Sequence, residues 1–160
     1  MEIMKAKLKD IKKIIEYGVG LLKQHYAFDS YFAQAKNVHE VYKKFFKGCI
    51  YSKNRLLLVA EENGKIIGYA VGELSSRPPV YKIRKMGYIS DVFVEKNFRK
   101  LGIAKQFLHV LKKWFKAKNI KHIELSVHVK NEIVKKAWAK YGLEDYMIKK
   151  RVEMEKFNIT

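Results

Sequence analysis

The sequence predicts a single α/β (α+β) domain over residues 1–160, in which a mixed, mostly antiparallel sheet is flanked by about four helices. Three observations predict this fold class. Apolar residues alternate with polar ones in several short segments, and they recur every three or four residues in several longer ones. The segments follow the order strand, two helices, hairpin, strand, helix, strand, helix and strand. A chain of 160 residues suits one domain.

The N-terminal half is predicted to contain a strand, two helices and a hairpin. The first helix places its apolar residues on one face: Ile11, Ile14, Ile15, Val19 and Leu22. The predicted elements, in chain order, are a strand over 2–7, a helix over 9–24, a polar and aromatic loop over 25–32, a helix over 38–50, and strands over 55–60 and 66–71. Between the last two strands, Asn63 and Gly64 supply the positive φ angles of a tight hairpin turn.

The C-terminal half is predicted to alternate strands with helices. Its elements are a strand over 87–94, a helix over 102–118, a strand over 123–129, a helix over 131–141 and a last strand over 146–155. The helix over 102–118 has the clearest apolar stripe of the chain. Asn131 can cap the next helix, and Gly142 can end it. The crossover from Val94 to Ile123 should join neighbouring parallel strands.

The composition narrows the class of protein. A net charge of +18 would attract anions such as nucleic acid, an acidic protein or a nucleotide cofactor. Because lysine outnumbers arginine and is scattered along the predicted helices, we interpret it as a solvated surface and do not expect nucleic acid as a partner.

No apolar run is long enough for a membrane span, and no secretory signal is evident, so a cytoplasmic location is expected. The single cysteine, Cys49, is expected to be a packed side chain rather than a nucleophile.

The passage from the strand over 87–94 into the following helix has the features of an anion site. A helix start offers unpaired backbone N–H groups and the positive end of the helix dipole. Gly102 and Ala104 leave room for a diphosphate, while Arg99 and Lys100 add positive charge. The Walker pattern and Gly-x-Gly-x-x-Gly are both absent, which excludes an ordinary nucleotide triphosphatase and a dinucleotide enzyme. A basic loop with a helix-starting glycine would give the same bare pattern.

With these motifs the chain resembles the GNAT superfamily of N-acetyltransferases. The cofactor motif of that family is Gln/Arg-x-x-Gly-x-Gly/Ala, which Arg99, Gly102 and Ala104 match. The likeness is close over residues 55–154 and looser before residue 50. It implies a transferase that passes the acetyl group of acetyl-CoA directly to a primary amine of a small molecule, a peptide or a protein N-terminus. No metal is implied, and a homodimer is compatible with the resemblance.

The resemblance also implies where acetyl-CoA binds. The strand over 87–94 would splay from the strand over 123–129, and the wedge between them would take the pantetheine arm. Val92, Phe93 and Val94 form the strand segment along the arm, with backbone groups of Val92 and Val94 bonding it, and Asn131 would reach the arm from the opposite side. Backbone amides of one turn would hold the pyrophosphate: Arg99, Lys100, Leu101, Gly102, Ile103, Ala104 and Lys105.

The resemblance makes Asp91 the first choice for the general base that takes the proton of the amine. A carboxylate that caps a loop or pairs with lysine is an equally good interpretation of Asp91. By strand alternation Ser90 should point to the opposite face, so only one of the two can face the cleft. His128 is the reserve candidate for the base, and a packed histidine is the alternative interpretation.

Trp138 falls where many relatives have a tyrosine that protonates the departing thiolate. An indole N–H donates a hydrogen bond but is no acid at neutral pH. Another tyrosine, such as Tyr141 or Tyr146, or water could serve, or the thiolate could leave unassisted, since a thiol has a pKa near 8.5. This departure also leaves open a non-catalytic acyl-CoA sensor, and the charge leaves open a basic nucleic-acid-binding domain.

Acceptor residues are expected between the first two helices, where relatives shape the acceptor pocket. The candidates are Tyr26, Asp29, Tyr31 and Phe32. The alternative interpretation is that these residues only pack the loop between the two helices. The cationic field of the chain favours an acceptor with acidic character, although a local acidic pocket would reverse this preference.

Overall fold

The computed structural model describes residues 1–159, and these divide into two compact units. The first unit comprises residues 1–128, and the second begins at Val129. The elements of the first unit, in chain order, are β1 (Glu2–Lys5), α1 (Ile11–Phe28), α2 (Val38–Tyr51), β2 (Arg55–Glu62), β3 (Lys65–Ser76), β4 (Lys85–Val94), α3 (Ile103–Ala117) and β5 (Ile123–Glu124). The second unit contains α4 (Glu132–Ala139) and a 3-10 turn (Met154–Lys156).

One five-stranded sheet with the order β1-β2-β3-β4-β5 organises the first unit. Neighbouring strands are antiparallel from β1 to β4, and β5 is parallel to β4. The mixed, mostly antiparallel sheet is therefore confirmed, together with the crossover through α3 that joins β4 to the parallel β5. Asn63 and Gly64 have φ angles of 50° and 75°, as the predicted hairpin turn between β2 and β3 requires.

Helices cover both faces of the sheet. On one face α1 and α2 bury Ile14 and Phe46 against Val59 and Tyr69 of the sheet, all four with essentially no exposure. On the other face α3 packs so closely that a Cβ added at Gly87 would lie 2.6 Å from the Phe115 ring. Phe107, Leu111 and Phe115 of the predicted apolar stripe are buried there. Glycine on β4 is what lets the aromatic residue of α3 reach the sheet.

Helix α1 is longer than predicted. Residues 25–28, expected in a loop, continue the helix because none of these four residues is a glycine or a proline. Asp29 then begins a 3-10 turn, Ser30–Phe32, by accepting a hydrogen bond from the Tyr31 amide at 3.0 Å. The aromatic loop of the prediction is thus the last turn of a helix followed by a capped 3-10 turn.

Two predicted strands differ from the structure. The strand over 123–129 is formed only at Ile123 and Glu124, because pairing with β4 ends there. The last strand over 146–155 was wrong: apart from the 3-10 turn at its end, the described residues of this stretch have no regular structure. Its alternation is broken at Lys150, which falls on the same side as Ile148 and Val152 and weakens an apolar strand face.

Candidate functional site

The turn before α3 has an unusual backbone conformation. Gly102, the residue that caps the helix start, has φ 79° and ψ 6°, and Lys100 two positions earlier has φ 67°. A Cβ at Gly102 would meet nothing within 4 Å, so the positive φ angle, and not crowding, requires glycine there. The turn is therefore open above the residue that was predicted to make room for a diphosphate.

The first turn of α3 presents free backbone donors. Its first backbone hydrogen bond runs from Gln106 N to Gly102 O at 3.1 Å, so the amides of Ile103, Ala104 and Lys105 have no acceptor within the helix. Within residues 1–159 no side chain caps this helix start, and no acidic residue lies in its first turn. These amides and the helix dipole together form a positive end that suits an anion.

Arg99 links this turn to the end of β4. Its Nε donates a hydrogen bond to the carbonyl oxygen of Val94 at 2.9 Å. The bond holds the guanidinium charge at the edge of the turn. Arg99 thus stabilises the turn and adds positive charge beside the free amides.

The outer half of β4 has an unpaired edge. Glu95 N donates to Ile67 O at 2.9 Å, so the backbone groups of Glu95 and, two residues earlier, Phe93 face β3. By alternation the backbone groups of Val92 and Val94 face the opposite edge. Pairing with β5 occurs only at Gly87 and Tyr88, and β4 continues beyond them. Beyond Tyr88 no described residue pairs with this edge of β4, and the predicted splaying of the two strands stays a prediction.

The three predicted strand residues are therefore not equivalent. Val92 and Val94 turn their backbone groups towards the open edge, although the Val94 carbonyl already accepts from Arg99. The Phe93 backbone faces β3, and its ring stacks on Tyr17 with 4.5 Å between centroids. Phe93 fills the core between the sheet and α1.

Asp91 lies on the face of the sheet that α1 and α2 cover. Its Oδ2 accepts a hydrogen bond from the Tyr69 hydroxyl at 3.1 Å. Burial raises the pKa of Asp91; the Tyr69 hydrogen bond and the nearby His25 lower it, while Glu73 raises it further. The result is a half-buried carboxylate with a raised pKa, oriented by a tyrosine.

A β-bulge at Ser90 removes the strand alternation on which the expectation about its direction depended. Asp91 pairs with Val71, but Ile89 pairs with Gly72, so Ser90 is the extra residue and simple alternation does not apply to it. Its Oγ is buried and has no hydrogen-bond partner among the described residues. The bulge determines the face of the sheet from which the Asp91 side chain projects.

Three predicted residues come together beside the end of α1. Asp29 Oδ2 lies 3.4 Å from His128 Nε2, and both side chains are 16% exposed. The His128 ring stacks on Phe28 at 5.8 Å between centroids and meets the edge of Phe32 at 6.0 Å. Asp29, Phe32 and His128 thus form one cluster. Tyr31 meets Phe32 edge-on with 5.7 Å between ring centroids, although it is 70% exposed, and Tyr26 is 52% exposed.

Two tyrosines of the site were not predicted. Tyr69 was predicted only as a strand residue, and its hydrogen bond to Asp91 was missed. The contact of the Tyr88 hydroxyl with Ser126 Oγ, at 3.1 Å, was also missed. The signal for Tyr69 lay in the hairpin register, which places it opposite Phe93 and beside Asp91. Tyr88 and Ser126 meet only because β4 and β5 are parallel neighbours.

The second unit contains the remaining two predicted residues. Asn131 caps α4, since its side chain accepts a hydrogen bond from Val134 N at 3.3 Å. The Trp138 ring lies 6.1 Å from that of Tyr141, both measured between centroids. The cap is confirmed, and a role of Asn131 or Trp138 towards the cofactor stays a prediction.

The cysteine behaves as the sequence indicates. Burial raises the pKa of the Cys49 thiol to about 11, which disfavours a nucleophilic thiolate.

In the part of the chain that the structure describes, no group of His, Cys, Asp and Glu could hold a metal ion. None of the helices found there has the length and apolar character for crossing a membrane.

Comparison with known proteins gives one family match and several similar folds. Residues 22–143 match the model of the acetyltransferase (GNAT) family. No curated protein matches the sequence. The fold is similar to that of the BH1408 protein tetramutant from Bacillus halodurans, at 23% identity and a TM-score of 0.85, covering 96% of this chain and 100% of that one.

Two further solved structures share the fold. A predicted acetyltransferase with acetyl-CoA from Clostridium acetobutylicum has 23% identity and a TM-score of 0.75, covering 98% of this chain and 97% of that one. Glucosamine-6-phosphate N-acetyltransferase from Arabidopsis thaliana has 22% identity and a TM-score of 0.67, with 96% and 97% covered.

Proposed function

Because this chain belongs to the acetyltransferase (GNAT) family, we propose that it transfers the acetyl group of acetyl-CoA directly to a primary amine. The observation that carries the proposal is the open turn at Gly102, with free amides at the start of α3 beside an unpaired edge of β4. A diphosphate needs several donors and positive charge, and an extended pantetheine arm needs a strand edge. Both are available next to each other here.

In this proposal the cofactor uses two neighbouring sets of backbone groups. The amides of Ile103, Ala104 and Lys105 receive the diphosphate, with the charges of Arg99 and Lys100 beside it. The pantetheine arm lies along Val92 and Val94. Since Val94 O is already bonded to Arg99, the arm would use Val94 N–H and the backbone groups of Val92.

Asp91 is the proposed general base. The acceptor ammonium gives a proton to the Asp91 carboxylate, directly or through water, and the neutral amine attacks the thioester carbon. The C–S bond then breaks, and the thiolate leaves and takes a proton from water or a nearby group. A raised pKa makes Asp91 a stronger base than an exposed carboxylate, and the Tyr69 hydroxyl holds it in place.

The acceptor is proposed to enter past the end of α1. The surface there combines aromatic rings, Phe28 and Phe32, with the Asp29 carboxylate. Carboxylates and aromatic faces attract a cationic amine locally, against the overall positive field. A small amine, a peptide or a protein N-terminus all fit this chemistry, and glucosamine-6-phosphate N-acetyltransferase provides an amine precedent on the same fold.

Acetyl-CoA titration by calorimetry tests the site assignment. Gly102→Glu places a carboxylate at the proposed diphosphate position and should weaken acetyl-CoA binding by at least a hundredfold. Gly64→Glu is a matched control, because Gly64 has a similar φ angle of 75° and its Cβ would also meet nothing within 4 Å. The control should bind as the wild type does. Equal affinity of the two variants for acetyl-CoA would show that the cofactor does not bind at Gly102.

A non-catalytic acyl-CoA sensor is the second candidate function. Trp138 motivates it, since it stands where many relatives have an acidic tyrosine hydroxyl. Thiol release measured with small amines, peptides and protein N-termini separates the two functions. Turnover with any of these acceptors supports the transferase, whereas tight binding without turnover on all of them supports the sensor.

A further inference from the structure

Two segments of the first unit carry several positive charges and no acidic residue. Between Glu95 and Glu124 the chain has nine lysine or arginine residues and no aspartate or glutamate. Between Glu73 and Asp91 it has four more, again without an acidic residue. No acidic residue therefore lies among the lysines and arginines of these two segments. An uncompensated cluster of like charges repels itself and is relieved by a bound anion.

Helix α3 carries part of this charge on its outer side. Lys112, Lys113 and Lys116 are exposed, and none of them forms an ion pair in the described chain. Lys112 and Lys116 lie one helical turn apart, where like charges destabilise a helix. The apolar stripe of α3 faces the sheet, so these lysines face solvent.

The charge continues into a depression beyond the end of α3. The depression has a volume of about 490 Å³, and no acidic residue lines it. Its lining residues are Lys82, Ile83, Arg84, Lys85, Asn119, Lys121 and His122. Gly87 N donates to His122 O at 2.9 Å, which holds the two cationic segments together. The nearest acidic residue in the sequence, Glu124, is already paired with Arg77 at 2.7 Å.

An exposed aromatic residue stands next to these cations. Tyr81 is 53% exposed and precedes Lys82, and the Arg77 guanidinium lies 5.8 Å from its ring centroid. An acidic polypeptide would need only the cations. A single-stranded nucleic acid uses both, because its phosphates contact the cations and its bases stack on exposed aromatic rings.

We propose that this cationic face, formed by Lys112, Lys113 and Lys116 of α3 with the depression and Tyr81, binds single-stranded nucleic acid. The face is separate from the proposed cofactor turn, from which α3 extends for about 22 Å towards the depression. Binding here does not require acetyl-CoA, and it does not depend on the proposed acetyl transfer. It provides a means of bringing the protein to a nucleic acid or to a protein bound to one.

Fluorescence anisotropy with a labelled 20-nucleotide oligouridylate tests the proposal between 50 and 200 mM NaCl. The variant K112Q/K113Q/K116Q should weaken binding by about tenfold or more at 100 mM NaCl and reduce the salt slope by about two, since three single-strand phosphate contacts are lost. The variant K43Q/K44Q/K47Q on α2 is the matched control, with three exposed lysines and the same change in net charge. It should bind nearly as the wild type does.

Base stacking is tested separately. Tyr81→Ala should weaken oligouridylate binding by about five- to hundredfold, whereas Tyr51→Ala, at a tyrosine that is 72% exposed on α2, should not. Both lysine variants should bind acetyl-CoA as the wild type does, which separates this proposal from the cofactor site. Three results overturn it: no oligouridylate binding at 100 mM NaCl, equal weakening by the two lysine variants, or displacement of the oligonucleotide by poly-glutamate at equal charge concentration.

Discussion

The Tyr69 hydroxyl donates a hydrogen bond to Asp91 Oδ2 at 3.1 Å, between neighbouring strands of the sheet. The tyrosine is fully buried and packs against Phe46 of α2 with 5.6 Å between ring centroids. A rigid aromatic residue therefore fixes the position of the carboxylate. This bond connects the packing of the core to the proposed proton transfer.

Asp91→Asn should lower kcat by about a hundredfold to ten-thousandfold, because the amide cannot accept the proton. The KM for acetyl-CoA should change little. Burial raises the pKa of Asp91, so the charged form is less stable in the folded chain than in the unfolded chain. The free energy of unfolding of the variant at pH 7 should therefore be equal to or higher than that of the wild type. Near wild-type kcat in Asp91→Asn would exclude Asp91 as the base.

Tyr69→Phe should move the acidic limb of the pH–rate profile to higher pH. The Tyr69 hydrogen bond lowers the pKa of Asp91, so its loss allows burial to raise that pKa further. The carboxylate form needed for proton transfer is then reached only at higher pH. An unchanged acidic limb of kcat/KM would show that Asp91 does not control the profile.

His128→Gln separates the two candidate bases. If Asp91 takes the proton, this variant should lower kcat by less than about tenfold and leave the pH–rate profile in place. Asp29→Asn is a companion variant, since Asp29 lies 3.4 Å from His128 and also caps the 3-10 turn. If kcat fell by about a hundredfold or more in His128→Gln and stayed near the wild-type value in Asp91→Asn, His128 would be the base instead of Asp91.

Gly87→Ala should destabilise the fold by about 1–3 kcal/mol, because the new Cβ would lie 2.6 Å from the Phe115 ring. Gly20→Ala is the matched control in α1, where a Cβ meets nothing within 4 Å. It should stabilise the fold by about 0.5–1 kcal/mol, since alanine favours a helix. Urea unfolding measures both. Equal effects of the two substitutions would contradict the close packing of α3 on β4.

The local features of the fold and the site could be predicted from the sequence. The Asn63-Gly64 hairpin turn and the apolar stripe of α3 each depend on neighbouring residues. The turn at Gly102 was predicted for the same reason, because a basic strand-to-helix passage with a glycine is a local pattern. The positive φ angle of Lys100 was missed, since lysine gives no signal for a left-handed conformation.

Features that depend on distant residues could not be predicted. Asp29 and His128 were separate candidates with different roles, and 99 positions of sequence separate them. Their contact results from α1 extending further than the sequence indicated. The bulge at Ser90 depends on the register between β3 and β4, which no single strand encodes. The last predicted strand failed because Lys150 interrupts its apolar side and no described strand pairs with it.

A crystal structure with coenzyme A measures the central claim most directly. The account predicts diphosphate oxygens within hydrogen-bond distance of the backbone amides of Ile103, Ala104 and Lys105, about 2.7–3.2 Å away. It also predicts the pantetheine arm along the open edge of β4 at Val92 and Val94. Coenzyme A bound elsewhere, with the turn at Gly102 closed by its own side chains, would contradict the account.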